Sequence, residues 1–526
     1  MSAEENRLIE AGRMAMQKND WRTVHTSALE LIRRNESNPE GFFLLGLALR
    51  AARQTLKSID AFEKCLALDE HRFDAGIELA NQYHVSLRND EAIGLLEKYE
   101  GMLEVSPWHL DMSGSLLVTM GKPLRAIPLF EKAVKLQPEA LFFLTHLASA
   151  YVFVGEIEKA KTIYKKLLLK NPSHQRNHFY LARLETASDI NHVEEMKAVL
   201  KRERKPDSGN VFMHYALGKE LEDLEDWDEA FDFYRKAGNG VKMVLNYSVE
   251  QDEALIEQII RTCDEKWYQS KLASTQDSPG DKKPILLVGL PRTGTTLAEQ
   301  ILAGHSRIES IGETQYFELV LRANSDIQGP GKITPDVISS LLNLDMSKLA
   351  TEYLDKTRYL WGDKEVFIDK LPHNYLYLGF FAAAFPDSPI VWIRRNPMDA
   401  CLAMYKQLFT GVYEFTYDFD DLARFYVMYD KLYRHWKSLL GDRIVEIDYE
   451  DLVTDTAETT AAAFNGLKLE YEPDCIDFNK NITASSTASS VQIREKIHSR
   501  SVMKWKRFEK HLEPLKSKLE AAGIEL

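Results

Sequence analysis

Two domains of different class are expected here: an all-α array of repeated helix pairs, then an α/β domain built on a central parallel sheet. Three observations predict them. The first half repeats itself at a fixed step, a Ser/Pro/Gly/Lys-rich stretch then breaks the helical pattern, and short Ile/Leu/Val runs beyond it alternate with long helical stretches. The chain has 526 residues, more than one hydrophobic core of ~250–300 residues can organise. With 44% hydrophobic and 28% charged residues it has a globular composition, which excludes collagen, wholesale disorder and a disulfide framework.

The repeat is carried by small residues and aromatics. Ala126, Phe130, Ala133 and Pro138 return 34 residues later as Ala160, Tyr164, Leu167 and Pro172. The same frame holds Leu217, Gly218, Ala230, Tyr234 and Ala237, and earlier Leu45, Gly46, Phe62 and Cys65. Weaker copies lie around Gly12 and Trp21, from Leu79 through Ala92 to Pro107, and around Leu181 and Ala182. This is the tetratricopeptide period, giving about six repeats over roughly residues 4–240. A small residue at the eighth position lets two helices approach, and an aromatic at the twenty-fourth fills the groove between neighbouring repeats. Stacked pairs make a solenoid whose concave surface binds a protein partner. The alternative is that the array only supports or dimerises the second domain.

A helical pattern continues over 241–272, and the 270–284 stretch SKLASTQDSPGDKKP is a linker. The expected domains are therefore 1–270, the repeat solenoid with linking helices, and 284–526. The second domain opens on PILLVGL, followed by strand-like runs at 366–369, 389–393 and 443–448. Continuous apolar strands separated by helices indicate a parallel sheet covered on both faces.

Between the first strand and its helix stands Gly289-Leu290-Pro291-Arg292-Thr293-Gly294-Thr295-Thr296. The frame is that of a phosphate loop, but Thr295 takes the place of the lysine that a γ-phosphate requires. Backbone N–H groups at a helix start still cradle an anion. Arg292 in the turn suits a nucleotide donor lacking the β- and γ-phosphates of ATP.

PRTGTT after a strand resembles the 5′-phosphosulfate loop of the PAPS-dependent sulfotransferases, and the wider pattern resembles their tetratricopeptide-fused and tyrosylprotein members. GETQYF at 312–317 resembles the segment bearing the catalytic acidic residue, with Glu313 lying 21 residues after Arg292. FIDKLPHNYLYLG resembles a further family segment, with Lys370 at the strand end, and VWIRRNPMDACLAMY the RxPxD motif of the 3′-phosphate site. TASSVQIREKIHSRSVMKW resembles the C-terminal donor-binding segment. The resemblance implies a sulfotransferase fold over 284–526, with PAPS as donor, PAP as product and no metal. It makes Glu313 the general base, with Arg292 and Lys504 the other catalytic residues. Donor binding falls to Pro291, Arg292, Thr293, Gly294, Thr295, Thr296, Arg395, Ser489, Gln492 and Lys504. Ala403 departs from the family, which commonly has a serine there on the 3′-phosphate. The implied acceptor is a hydroxyl, a polypeptide tyrosine among the candidates.

Two other readings stand beside this one: a repeat scaffold carrying a degenerate nucleotide domain, and an ATP-dependent kinase. The missing loop lysine opposes the kinase. The net charge of −14 argues against broad nucleic-acid binding, and the apolar runs are too short to span a membrane. An N-terminus without a cationic start and apolar core leads to the expectation of a cytoplasmic protein. Cys65, Cys263, Cys401 and Cys475, scattered without metal-ligand spacing, fit buried thiols.

Overall fold

The computed structural model describes residues 2–274, 280, 282–327, 333–480 and 497–526. The chain divides into two compact units, Met1–Val154 and Gly155–Leu526.

The first unit is helical throughout. Its helices are Ala3–Gln17, Trp21–Arg34, Pro39–Ala51, Thr55–Leu68, Phe73–Val85, Asn89–Tyr99, Pro107–Thr119, Pro123–Leu136 and Leu141–Val154. Five of these starts have a local cause in a cap or a first-turn proline. Ser2 caps the first helix reciprocally with Glu5, and Asp20 accepts from Thr23 N. Pro39, Pro107 and Pro123 sit in first turns, where no amide hydrogen is needed. The expected small residues Gly46 and Gly218 each meet the aromatic of their own helix pair, Phe62 and Tyr234. A Cβ on Gly46 would lie 2.5 Å from the fully buried Phe62 ring, so that helix pair closes only on glycine. A cleft of about 680 Å³ runs between helices of this unit, lined by Trp21, Phe42, Arg22, Lys57 and Lys64.

In the second unit, helices Ile157–Lys170, Gln175–Ala182, Asn191–Glu203, Val211–Asp223 and Trp227–Lys242 carry the later repeat positions. Fourteen helices thus span Ala3 to Lys242 among the described residues, more than about six repeats require. Helices Val249–Thr262 and Glu265–Ser274 follow, the second running past the expected helical segment 241–272 into the expected linker. The linker near 270–284 therefore falls inside the second unit, and residues 275–279 and 281 of it lie outside the described residues.

The sheet has five strands, all parallel: β1 (Lys283–Gly289), β2 (Ile308–Gly312), β3 (Val366–Lys370), β4 (Ile390–Arg394) and β5 (Ile444–Asp448), in the order β2-β3-β1-β4-β5. β1 is buried at every residue after Lys283 and β3 at every residue, which is why their sequences read as unbroken apolar runs. On one face Ile285, Leu287, Val391 and Ile393 pack against Ala298, Ile301 and Phe464. On the other, Trp392 donates to the Tyr429 hydroxyl at 2.7 Å. β2 went unrecognised in the sequence. As an edge strand it buries only Ile308 and Ile311, and IESIG lacks an apolar run.

The strand order reverses beside β1: its chain leaves towards β2 on one side, whereas β4 and β5 lie on the other. In open α/β sheets, ligands bind beyond the carboxyl ends of the strands at such a point. The Arg292 turn and Arg395 both follow those ends.

Candidate functional site

Gly289 ends β1 beside Ile393 of β4, so the two following turns start next to each other. The first turn is tightened by Thr293 Oγ1 donating to the Leu290 carbonyl at 2.7 Å. Gly294 caps helix Thr295–Ala303 with φ +101°, and a Cβ there would stand 2.4 Å from the Tyr449 ring. Only glycine combines that backbone with that approach. Arg292 takes φ +66°, a left-handed conformation rare for a residue with a side chain. Pro291, Thr293, Thr295 and Thr296 are buried in this turn.

Arg395 reaches the turn directly. Its Nη1 donates to the Arg292 carbonyl at 2.9 Å and its Nη2 to the Ser501 carbonyl at 2.7 Å. The guanidinium lies 4.6 Å from the Tyr449 ring centre, and the Tyr449 hydroxyl bonds Ser501 Oγ at 2.6 Å. Arg395 Nε is buried without a hydrogen-bond partner among the described residues. Neighbouring Arg394 turns away and lies over the Tyr433 ring at 4.5 Å. Burial, then the positive charges of Arg183 and Arg395, lower the Arg292 guanidinium to about 10. The Arg292 turn, Arg395 and the C-terminal segment are thus one cationic cluster.

The C-terminal segment is anchored by Asp399, whose carboxylate accepts from the backbone N–H groups of Met503 and Trp505 at 2.6 and 2.8 Å. That fixes Lys504, whose Nζ lies 2.5 Å from Glu222 Oε1. Glu222, on helix Val211–Asp223, also takes Lys406 Nζ at 2.7 and 2.8 Å and the Tyr234 hydroxyl at 2.9 Å. Burial favours its neutral form, but Lys406 and Lys504 outweigh it and hold the carboxyl down to about 2.

On the β3 side, Glu313 follows β2 and is partly exposed, its side chain paired with Lys370 Nζ. Lys370 is fully buried at the end of β3, 3.4 Å from Glu299 Oε2 and 3.5 Å from Thr296 Oγ1. Ser310 Oγ donates to Glu299 Oε1 at 2.6 Å. Burial works against the ammonium charge, but Glu299 and Glu313 overcome it and raise the Lys370 pKa. Adjacent Asp369 accepts from Thr314 Oγ1 and the Tyr353 hydroxyl, both at 2.8 Å, and burial pushes it up to about 7.

This arrangement can hold a phosphorylated anion over the turn and a partly exposed carboxylate beside it. The sulfotransferase family matches residues 284–473, and tetratricopeptide repeats match 110–139 and 143–174. Residues 284–473 are a sulfotransferase-family domain. An uncharacterized protein of Aquifex aeolicus (strain VF5) is 27% identical over 427 residues, 80% of this chain and 55% of that protein. The chain therefore spans about half the length of that curated relative. A tetratricopeptide repeat protein from Parabacteroides merdae is 15% identical over 47% of this chain and 95% of its own, with TM-score 0.31. The corresponding values for Pseudomonas aeruginosa PilF are 15%, 44%, 96% and 0.33.

Within this sulfotransferase domain and the segment after it, the structure joins the 291–296 turn to Arg395, holds Lys504 on Glu222, and sets Glu313 against Lys370. Ser489 and Gln492 lie outside the described residues. Lys370, absent from the residues singled out for catalysis, is the cation on Glu313. Its signal was a lysine ending the strand VFIDK, after three apolar residues and Asp369. Glu222 and Lys406 were also missed, because no local motif connects positions 184 residues apart. His305, 2% exposed, bonds the Glu470 carbonyl and Arg307 N and is structural. His373 lies 3.3 Å from Glu318 Oε2, its ring edge-on to Tyr413. The residues present fit a nucleotide phosphorylated on its ribose: a glycine cradle at a helix start, and an Arg395 Nε buried beside it.

Proposed function

We propose that the chain transfers a sulfuryl group from PAPS to an acceptor hydroxyl, a polypeptide hydroxyl such as that of tyrosine being the preferred class. The observation that carries this reading is the direct contact of Arg395 with the Arg292 turn at the switch point of the sheet, beside the Lys370–Glu313 pair. The donor supplies the sulfuryl group and a leaving group that carries away its own negative charge.

The chain's residues divide the remaining work. The turn amides with Thr295 and Thr296 bind the 5′ end of the donor, as anions are bound at helix starts. Arg395 binds the ribose phosphate, its unused Nε still available as a donor. Arg292 and Lys504 stabilise charge developing around the transferred group, the kind of electrostatic contribution worth ~10²–10³-fold. The Glu313 carboxylate accepts the hydroxyl proton. Lys370 holds that carboxylate in position while also pairing with Glu299 behind it. In the first unit, the cleft lined by Trp21, Phe42, Arg22, Lys57 and Lys64 offers apolar and basic surface for a protein partner.

Calorimetric titration with PAP tests the donor, and transfer of radiolabel from PAPS into protein rather than small molecules of a cell extract tests the acceptor. A protein that gives no heat with PAP is a scaffold. Greater thermal stabilisation by ATP with magnesium than by PAP would overturn the sulfuryl-transfer reading.

A further inference from the structure

Helix Pro397–Tyr405 starts immediately after Arg395 and Asn396 and ends at its C-cap, Lys406. One turn before that end, Ala403 offers no polar side-chain atom. Lys406 is the next side chain on that face, and it does not reach solvent freely: its side chain is 14% exposed. Its Nζ contacts both oxygens of Glu222, at 2.7 and 2.8 Å, and Lys504 shares Oε1 at 2.5 Å. The Glu222 side chain is 8% exposed, so its charge is screened mainly by those lysines. Arg395 is close enough for its charge to be felt at Lys406. Lys406 and Lys504 hold one carboxylate between them, and with Arg395 acting on Lys406 the group carries two positive charges in excess. A phosphomonoester carrying about −1.5 to −2 matches that excess.

Resting on the PAPS reading, we propose that Lys406 is a donor-binding residue for the ribose phosphate. Glu222, contributed by the repeat segment, occupies that phosphate's place on Lys406, and also holds Lys504, until the nucleotide binds. Exchanging one anion for another spares the buried lysine from losing a counter-ion, the costly alternative in a low-dielectric site. The repeat helices thereby set donor affinity from within the donor site.

The test compares dissociation constants for PAP and AMP, which differ by the ribose phosphate. Wild type should prefer PAP; equal affinity for the two would sink the PAPS reading and this inference together. Lys406→Met should cut the PAP preference ~10- to 100-fold, as expected for losing a charged phosphate contact, and leave AMP binding unchanged. Lys406→Arg should retain the preference. Glu222→Gln should raise PAP affinity and steepen its salt dependence. Because Lys406→Met takes one of two cations from a buried carboxylate, the charge-balanced Lys406→Met/Glu222→Gln double variant guards against misfolding and should also lose the preference. If the folded Lys406→Met protein or the double variant keeps the wild-type PAP/AMP ratio, the role of Lys406 is refuted while the donor reading stands. Unchanged or weaker PAP binding by Glu222→Gln refutes the role of Glu222.

Discussion

Arg395 donates from Nη1 to the Arg292 carbonyl across 2.9 Å, joining two turns that lie 103 residues apart in sequence. The contact exists because β1 and β4 are neighbours in a parallel sheet, so their carboxyl ends emerge side by side. Had the strand order separated them, one nucleotide could not touch both. Arg395→Met should therefore weaken PAP binding ~10-fold or more, the scale of a charged phosphate contact, and spare AMP binding by comparison. Paired calorimetric titrations measure this.

Glu313 is partly exposed, whereas its partner Lys370 is buried. Glu313→Gln should lower kcat for sulfuryl transfer by ~10²–10⁴-fold, the usual worth of a general base. PAP affinity should stay near wild type. A comparable fall in PAP affinity would mean that Glu313 organises the donor site instead.

Lys370→Met leaves Glu299 in the interior without its cation. Removing one partner of a buried pair typically costs ~3–5 kcal/mol, so urea unfolding should shift strongly. Lys370→Met/Glu299→Gln should recover much of that stability. Turnover should remain low in the double variant, because Glu313 still lacks its partner.

Asp369 has a folded-state pKa of about 7 against an ordinary value of 3.8, because burial disfavours its charge. Between those values the folded chain holds a proton that the unfolded chain has released, so stability falls as pH rises from about 4 to about 7. The loss is on the order of 4 kcal/mol if Asp369 acts alone. Unfolding free energies of wild type minus Asp369→Asn, measured across this range, should decline with pH. A flat difference would show that Asp369 ionises normally.

Gly294 combines φ +101° with contact against the Tyr449 ring. Gly294→Ala should cost ~1–3 kcal/mol in backbone strain and distort the turn. Both the melting temperature and PAP affinity should drop. Tyr449→Ala added to it should not restore them, because the backbone strain persists.

Much of this protein was legible in one dimension. The 34-residue step placed Gly46 and Phe62 at positions that do pack together. The apolar runs marked β1, β3, β4 and β5, and the residues from Gly289 to Thr296 marked the tight turn between β1 and its helix. Such features are local: periodicity follows from helix and strand geometry, and turn chemistry from the residues within the turn. β2 escaped because an edge strand needs little apolar surface. Strand order had to be known before Arg292 could be set beside Arg395. Lys370 met Glu299 and Glu313, and Glu222 gathered Lys406 and Lys504, only once the chain had folded. Buried charges must find counter-charges wherever the packed backbone brings them, and no spacing along the sequence encodes that choice.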